Sequence, residues 1–276
     1  MADPDVPFVR YALAAGLLAS VAFGVMGTYV VTRRISYIAA AISHCVLGGI
    51  GAALYLQTVA GWTWCRPLYG AVAAALTAAI TVGLVSLYAR QREDTVIGAI
   101  WVIGMAVGLL LLAKVPGYVD PMSYLFGNIL LISRHDLWLI IVLDVLVVGV
   151  AVLLHNRFLA ICFDEEFAEL RGVPVKLLYL LLLCLTALTV VLLVSVVGIV
   201  MVIALLTLPA AIAGHFARRL WQMMVLATVC CAAFVATGLG VSYSTDLPSG
   251  SVIVVLAGVV YLLVAVGARL RRPYSV

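Results

Sequence analysis

The chain has 276 residues, 66% of them apolar and only 10% charged, with a mean hydropathy of +1.25. An ordinary globular domain carries roughly 25% charged residues, so these charges cannot cover a water-facing surface. A soluble domain is excluded in favour of an integral membrane protein, and the formal net charge of +4 is too small to imply nucleic acid as a partner.

The apolar runs are continuous and about 20 residues long, enough to cross a bilayer as helices, where a barrel would show short alternating segments. The fold class is therefore all-α, a single polytopic transmembrane domain over residues 1–276. The opening MADPDVPFVRYALAAG is acidic and lacks the basic start and small-residue cleavage site of a signal peptide. Its apolar run is expected to stay as the first span. Nine spans are predicted, at about 9–31, 36–57, 68–89, 95–113, 135–154, 175–194, 196–214, 221–242 and 250–268. Around Ser195, VVLLVSVVGIVMVIALL has no polar loop and fits one long helix or a tight hairpin, so eight spans is the other count.

Lys and Arg placement sets the orientation. With the N-terminus outside, the inside holds Arg33, Arg34, Arg90, Arg92, Arg157, Arg171, Lys176, Arg218, Arg219, Arg269, Arg271 and Arg272. The outside holds Arg10, Arg66, Lys114 and Arg134, a ratio of 12 to 4 that puts the C-terminus in the cytoplasm and favours an odd number of spans.

Two connecting stretches stand out. KVPGYVDPMSYLFGNILLISRHD, residues 114–136, contains Pro116, Gly117, Pro121 and Gly127 and reads as an external loop with a short or re-entrant helix. FDEEFAELRGVPVK, residues 163–176, falls inside. There Asp164 can cap a short helix, Glu165 and Glu166 suit its first turn, and Gly172 followed by Pro174 ends it. Such an element is either a cytosolic docking helix or a solvated connector.

Six cysteines, Cys45, Cys65, Cys162, Cys184, Cys230 and Cys231, form no CxxC pair and lie mostly in apolar runs, where they act as small apolar residues. Two ionisable residues fall at bilayer depth. His44 is ten residues from Arg34, about 15 Å along a helix and so near the midplane of a roughly 30 Å core. Asp144, ten residues from Arg134, reaches the same depth from the other face. Buried ionisable groups are costly and usually meet a cavity or a partner. The two residues can share a divalent cation or form an ion pair, or His44 can donate to a backbone carbonyl while Asp144 is protonated or caps a helix. Spacing alone leaves all these open. Gly48, Gly49 and Gly51 beside His44 allow close helix packing or room for an ion path. His135 and His155 fall at span ends, where exposure is the plain expectation, and His215 falls at the cytoplasmic end of its span. Tyr243 and the Cys230–Cys231 pair carry no assignable role.

Four stretches, in order, resemble the permease subunit of zinc/manganese/iron-type ABC importers: RRISYIAAAISHCVLGG, FDEEFAELRGVPVKLL, SVVGIVMVIALLTLPAAIA with Gly198 and Pro209, and GLGVSYSTDLPSGSVIVVLAGVVYL. The resemblance covers about residues 9–270. It implies ATP-driven import of a divalent transition-metal ion across a bacterial inner membrane, with alternating access in a permease dimer, either homodimer or heterodimer. It also implies two cytosolic ATPase subunits that bind ATP, an extracytoplasmic metal-binding protein, and no permanently bound cofactor. Residues 163–173, with Asp164, Glu165, Glu166 and Gly172, become the coupling helix seated on an ATPase, and His44 becomes a pore ligand. One departure is plain: the family's Asp one helical turn before that histidine is here Ala40, which cannot coordinate. Asp144 is then expected to supply the missing oxygen, and Asp246 is expected to be a helix cap or an entrance carboxylate.

The chain has no G-x-x-x-x-G-K-[ST] phosphate loop, so it is expected not to be an enzyme and to need separate ATPase subunits. A proton-coupled carrier using His44 and Asp144 as a relay is the alternative, and a channel or scaffold with purely structural polar residues is a third reading. Zinc, manganese and iron(II) all suit mixed nitrogen and oxygen ligands, so the metal stays open.

Overall fold

The computed structural model describes residues 7–88, 93–116, 124–125 and 134–270, and among them regular structure is entirely helical. The helices are α1 (Pro7–Thr32), α2 (Ser36–Thr58), α3 (Pro67–Tyr88), α4 (Glu93–Leu112), α5 (Arg134–Leu153), α6 (His155–Phe163), α7 (Glu165–Leu170), α8 (Val175–Val197), α9 (Ile199–Phe216), α10 (Leu220–Thr245) and α11 (Ser249–Leu270). The short or re-entrant helix expected within 114–136 lies outside the described residues.

Among the described residues seven helices, α1–α4 and α9–α11, are long and apolar enough to cross a membrane, and α5 with α6 makes an eighth if that pair, bent by 71°, is one span. The expected nine is thus slightly high among the described residues, although the stretch expected at 175–194 does form a helix, α8, of 23 residues. A second difference is the end of α5, where the chain does not stop near 154 but turns at Leu154 and continues as α6.

The junction near Ser195 is not one continuous helix. α8 ends and α9 begins at Gly198, whose φ of 89° and ψ of 156° fall in a region essentially restricted to glycine. The α1–α2 turn is equally tight. Ile35 N–H donates to the Val30 carbonyl (2.9 Å) and Arg34 N–H to that of Val31 (3.1 Å), with Arg34 left-handed at φ 62°. This double bond satisfies carbonyls orphaned at the end of α1.

The bundle has two packets. In one, α2 lies between α3 and α4; in the other, α1 packs on α5, α9 and α10, and α11 covers α9 and α10. α8 joins them, touching α2 and α3 on one side and α1, α5 and α9 on the other. The most hydrophobic window of α2 is 72% buried and that of α11 only 11%, so His44 sits on a central helix and α11 on the periphery. The large side chains Phe23, Tyr29, Ile42, Leu47 and Phe158 are fully enclosed.

Candidate functional site

His44 lies in the middle of α2, half-buried, with Nδ1 3.0 Å from the Ala40 carbonyl one turn back. A carbonyl only accepts, so the ring nitrogen facing it must carry the hydrogen. In the neutral ring this leaves a lone pair on Nε2, the arrangement that suits a metal-ligating imidazole. The ring is held from the other side by Trp101 of α4, with centroids 4.5 Å apart and planes tilted by 39°. Tyr37, two turns below on α2, meets the same indole at 5.8 Å.

Trp101 reaches the imidazole because α2 and α4 approach backbone to backbone. A methyl group placed on Gly48 would lie 2.7 Å from the Gly104 carbonyl, and one on Gly51 would lie 2.6 Å from that of Gly108. Gly49 meets Gly70 of α3 just as closely. Small residues permit such contact, and with no hydrophobic drive between helices in lipid, dispersion at close range holds them. Beside the seam runs a groove of about 350 Å³ lined by Cys45, Gly48, Gly49, Thr77, Thr81 and Gly104, among others. Cys45 donates its thiol hydrogen to the Ile100 carbonyl at 3.3 Å.

Asp144 is elsewhere. It is 8% exposed on α5, and among the described residues neither carboxylate oxygen has a hydrogen-bond partner. α5 packs on α1 and α8, not on α2, so within one chain the structure does not bring His44 and Asp144 together. Asp246 is exposed at the end of α10, left-handed at φ 54°, where it closes the helix through its backbone. Among the described residues no three of His, Cys, Asp and Glu cluster as a metal site.

One end of the bundle gathers charge. A polar pocket of about 400 Å³ is lined by Arg33, Arg34, Tyr37, Asp94, Glu165 and Tyr179, among others. Beside it sits α7. Asp164 caps it, accepting from the Phe167 N–H at 2.9 Å, and Glu165 and Glu166 occupy its first turn where the helix dipole favours negative charge. Gly172, at φ 77°, ends it, with Gly172 N–H on the Glu169 carbonyl and Val173 N–H on that of Ala168. Phe167 and Leu170 stay 52% and 87% exposed among exposed acids. Asp164→Ala removes the cap, at an expected cost of about 1 kcal/mol. Amide hydrogen exchange across 165–170 should quicken while global unfolding stays unchanged.

The remaining candidates fall as follows. His155 is not simply exposed: it is half-buried at the α5–α6 bend, with Nδ1 3.1 Å from the Tyr29 hydroxyl. His215 is exposed in the last turn of α9, and the side chain of His135 lies outside the described residues. Pro209 is buried inside α9, where it withdraws the helical donor from the Leu205 carbonyl. All six cysteines are free thiols. Trp101 and the contacts of Arg33 carry no signal in the sequence, because both join segments far apart along the chain.

Residues 5–268 match the model of the ABC 3 transport family. An uncharacterized membrane protein of Synechocystis is 42% identical over 257 residues, covering 93% of this chain and 89% of that protein. The manganese transport system membrane protein MntC of Listeria monocytogenes is 31% identical over 256 residues, covering 93% and 89%. The solved PsaBC from Streptococcus pneumoniae, in complex with Fab, superposes with a TM-score of 0.82 at 28% identity, covering 93% of this chain and 90% of that one. Family, relatives and fold agree over nearly the whole length, and the chain belongs to the ABC 3 transport family.

Proposed function

We propose that the chain is the permease subunit of an ABC importer for a divalent transition-metal ion in a bacterial inner membrane. The observation that carries this is His44, whose Nδ1 hydrogen bond to Ala40 leaves Nε2 free at mid-membrane beside the α2–α4 seam. Two copies of the chain, or this chain with a related one, form the pathway. An extracytoplasmic metal-binding protein delivers the ion, and two cytosolic ATPase subunits bind ATP.

α7 is the coupling helix: capped, acidic, and presenting Phe167 and Leu170 to a partner's groove. ATP-driven closure of the ATPases shifts α7 and rocks the permeases, which alternates access to the ion. The N-terminus is outside. The joint pocket of Arg33, Arg34, Asp94 and Glu165 supports placing the segments that carry them on one side, the cytoplasmic one by the Lys and Arg excess.

Manganese is favoured by the names of relatives such as MntC, while an imidazole suits zinc and iron(II) as well. The test is uptake of manganese, zinc and iron(II) by the complex reconstituted with its ATPase subunits and binding protein. Uptake of one of them that stops when ATP hydrolysis is blocked is expected; uptake by this chain alone would exclude the importer.

A proton-coupled carrier is the second reading, favoured by the buried Asp144, which has no hydrogen-bond partner among the described residues. The same carboxylate is proposed as an ion ligand, and one variant separates these roles from a merely tolerated buried acid. Asp144→Asn keeps the shape but can neither hold a proton nor carry charge. Uptake is expected to fall with it at every external pH if the carboxylate binds the ion. If it relays protons, only gradient-driven uptake falls. Unchanged uptake would remove Asp144 from the pathway. Asp246, exposed at the outer end, is proposed as no more than an entrance carboxylate.

A further inference from the structure

Arg33 is the most heavily engaged charged residue described, and the proposed ion route does not use it. It follows the last residue of α1 and lies three residues before α2 begins. Its Nη1 donates to the Ile161 carbonyl near the end of α6 at 2.6 Å. Its Nη2 pairs with Glu165 in the first turn of α7. Its guanidinium lies 5.5 Å from the ring centre of Tyr179 on α8. The side chain is only 21% exposed. Arginine's rigid fork fits this: two donors on one plane bond two acceptors at once, and the flat face stacks on a ring.

The backbone around Arg33 is held as firmly as its side chain. Arg34 is left-handed and the turn into α2 is closed by two backbone bonds, so little slack separates Arg33 from the start of α2. One turn back on the same face of α1, Tyr29 fastens the other end of α6. Its hydroxyl meets His155, and its ring meets Phe158 edge-on at 5.3 Å. The α6–α7 elbow is thus clasped by α1 at both ends, and the residue completing the clasp is the one from which α2 departs. His44 lies eight residues beyond the start of α2 at Ser36, about 12 Å along the helix.

We infer that Arg33 is the positioning residue that transmits displacement of α7 to α2, and so to His44. This rests on the reading of α7 as the coupling helix. A guanidinium bonded to two acceptors and lying over a ring resists both pulling and shear. A single weak contact would let α7 move while α2 stayed.

The experiment uses the complete complex in proteoliposomes, with manganese and zinc as cargo and the number of ions moved per ATP as readout. Arg33→Ala breaks every contact. Arg33→Gln is too short to reach Ile161 or Glu165 but keeps a polar side chain and most of the aliphatic stem, which guards against a folding defect. Both are expected to assemble and hydrolyse ATP, while ions per ATP fall about tenfold for Ala and severalfold for Gln. Exchanging the charges, Arg33→Glu with Glu165→Arg, should recover part of the loss. A merely structural role would lower hydrolysis and transport together and leave their ratio unchanged.

Wild-type ions per ATP in Arg33→Gln overturns the inference. So does an assembled charge-exchange variant no better than Arg33→Glu alone. If the unmodified complex moves no metal with ATP, the importer reading falls first and takes the inference with it.

Discussion

Replacing His44 with alanine is expected to lower metal uptake by about 100-fold while the permease still folds and assembles. Alanine is the best helix former, and within α2 the Ala40 carbonyl keeps the backbone N–H of residue 44 as its donor. The Trp101 indole loses a neighbour and α4 keeps its glycine seam. What disappears is the Nε2 lone pair beside that seam, proposed above as the metal ligand. A cation entering a low-dielectric region has lost part of its water, and each missing ligand is felt directly as a lower rate or affinity. Uptake of radioactive manganese and zinc by the reconstituted complex measures this, with ATP hydrolysis followed in parallel. Equal uptake by wild type and His44→Ala for both metals would make the imidazole a packing residue satisfied by Ala40.

Helices and caps were legible for simple reasons. A run of about 20 apolar residues has few other fates, and Asp164, Glu165, Glu166 and Gly172 spell out a short helix with both ends satisfied. The hydrogen bond from His44 to a backbone carbonyl was among the options open from residue type alone. What stayed hidden depends on tertiary contact. Nothing near Trp101 marks it as the neighbour of His44, because the seam that joins them needs Gly104 and Gly108 on a different helix. The turn at Leu154 has no proline or glycine to announce it, and is held instead by Tyr29 against His155 and Phe158. Matched depth suggested that Asp144 and His44 share an ion, but depth says nothing about azimuth. Asp144 faces the α1 side of the bundle and His44 the α4 side. Gly198 is expected from the sequence to serve helix packing, as is Pro209, while its backbone angles, invisible in composition, divide α8 from α9.

A clear loss of stability is expected at Gly108. A methyl group there would sit 2.7 Å from both the carbonyl carbon and oxygen of Leu47 and 2.8 Å from the amide nitrogen of Gly48. All three are backbone atoms in the middle of α2, so no side-chain rotation relieves the clash and the helices must separate. Separation forfeits the close contacts on which helix association in lipid depends. Gly108→Ala should therefore cost about 1–3 kcal/mol, against the gain of up to about 1 kcal/mol that alanine brings to an unconstrained helix. Gly108→Leu adds bulk that α2 cannot absorb and should leave no folded protein to purify. Gly149 on α5 and Gly258 on α11 test the sign, because a methyl group on either meets nothing within 4 Å. Gly149→Ala and Gly258→Ala should raise the melting temperature of the purified chain in detergent, and Gly108→Ala should lower it. The same displacement moves Trp101 off the imidazole, so Gly108→Ala should also lose uptake beyond what its stability explains. A Gly108→Ala protein that melts with the two controls would mean that α2 and α4 do not meet backbone to backbone, and the support for the orientation of His44 would go with that seam.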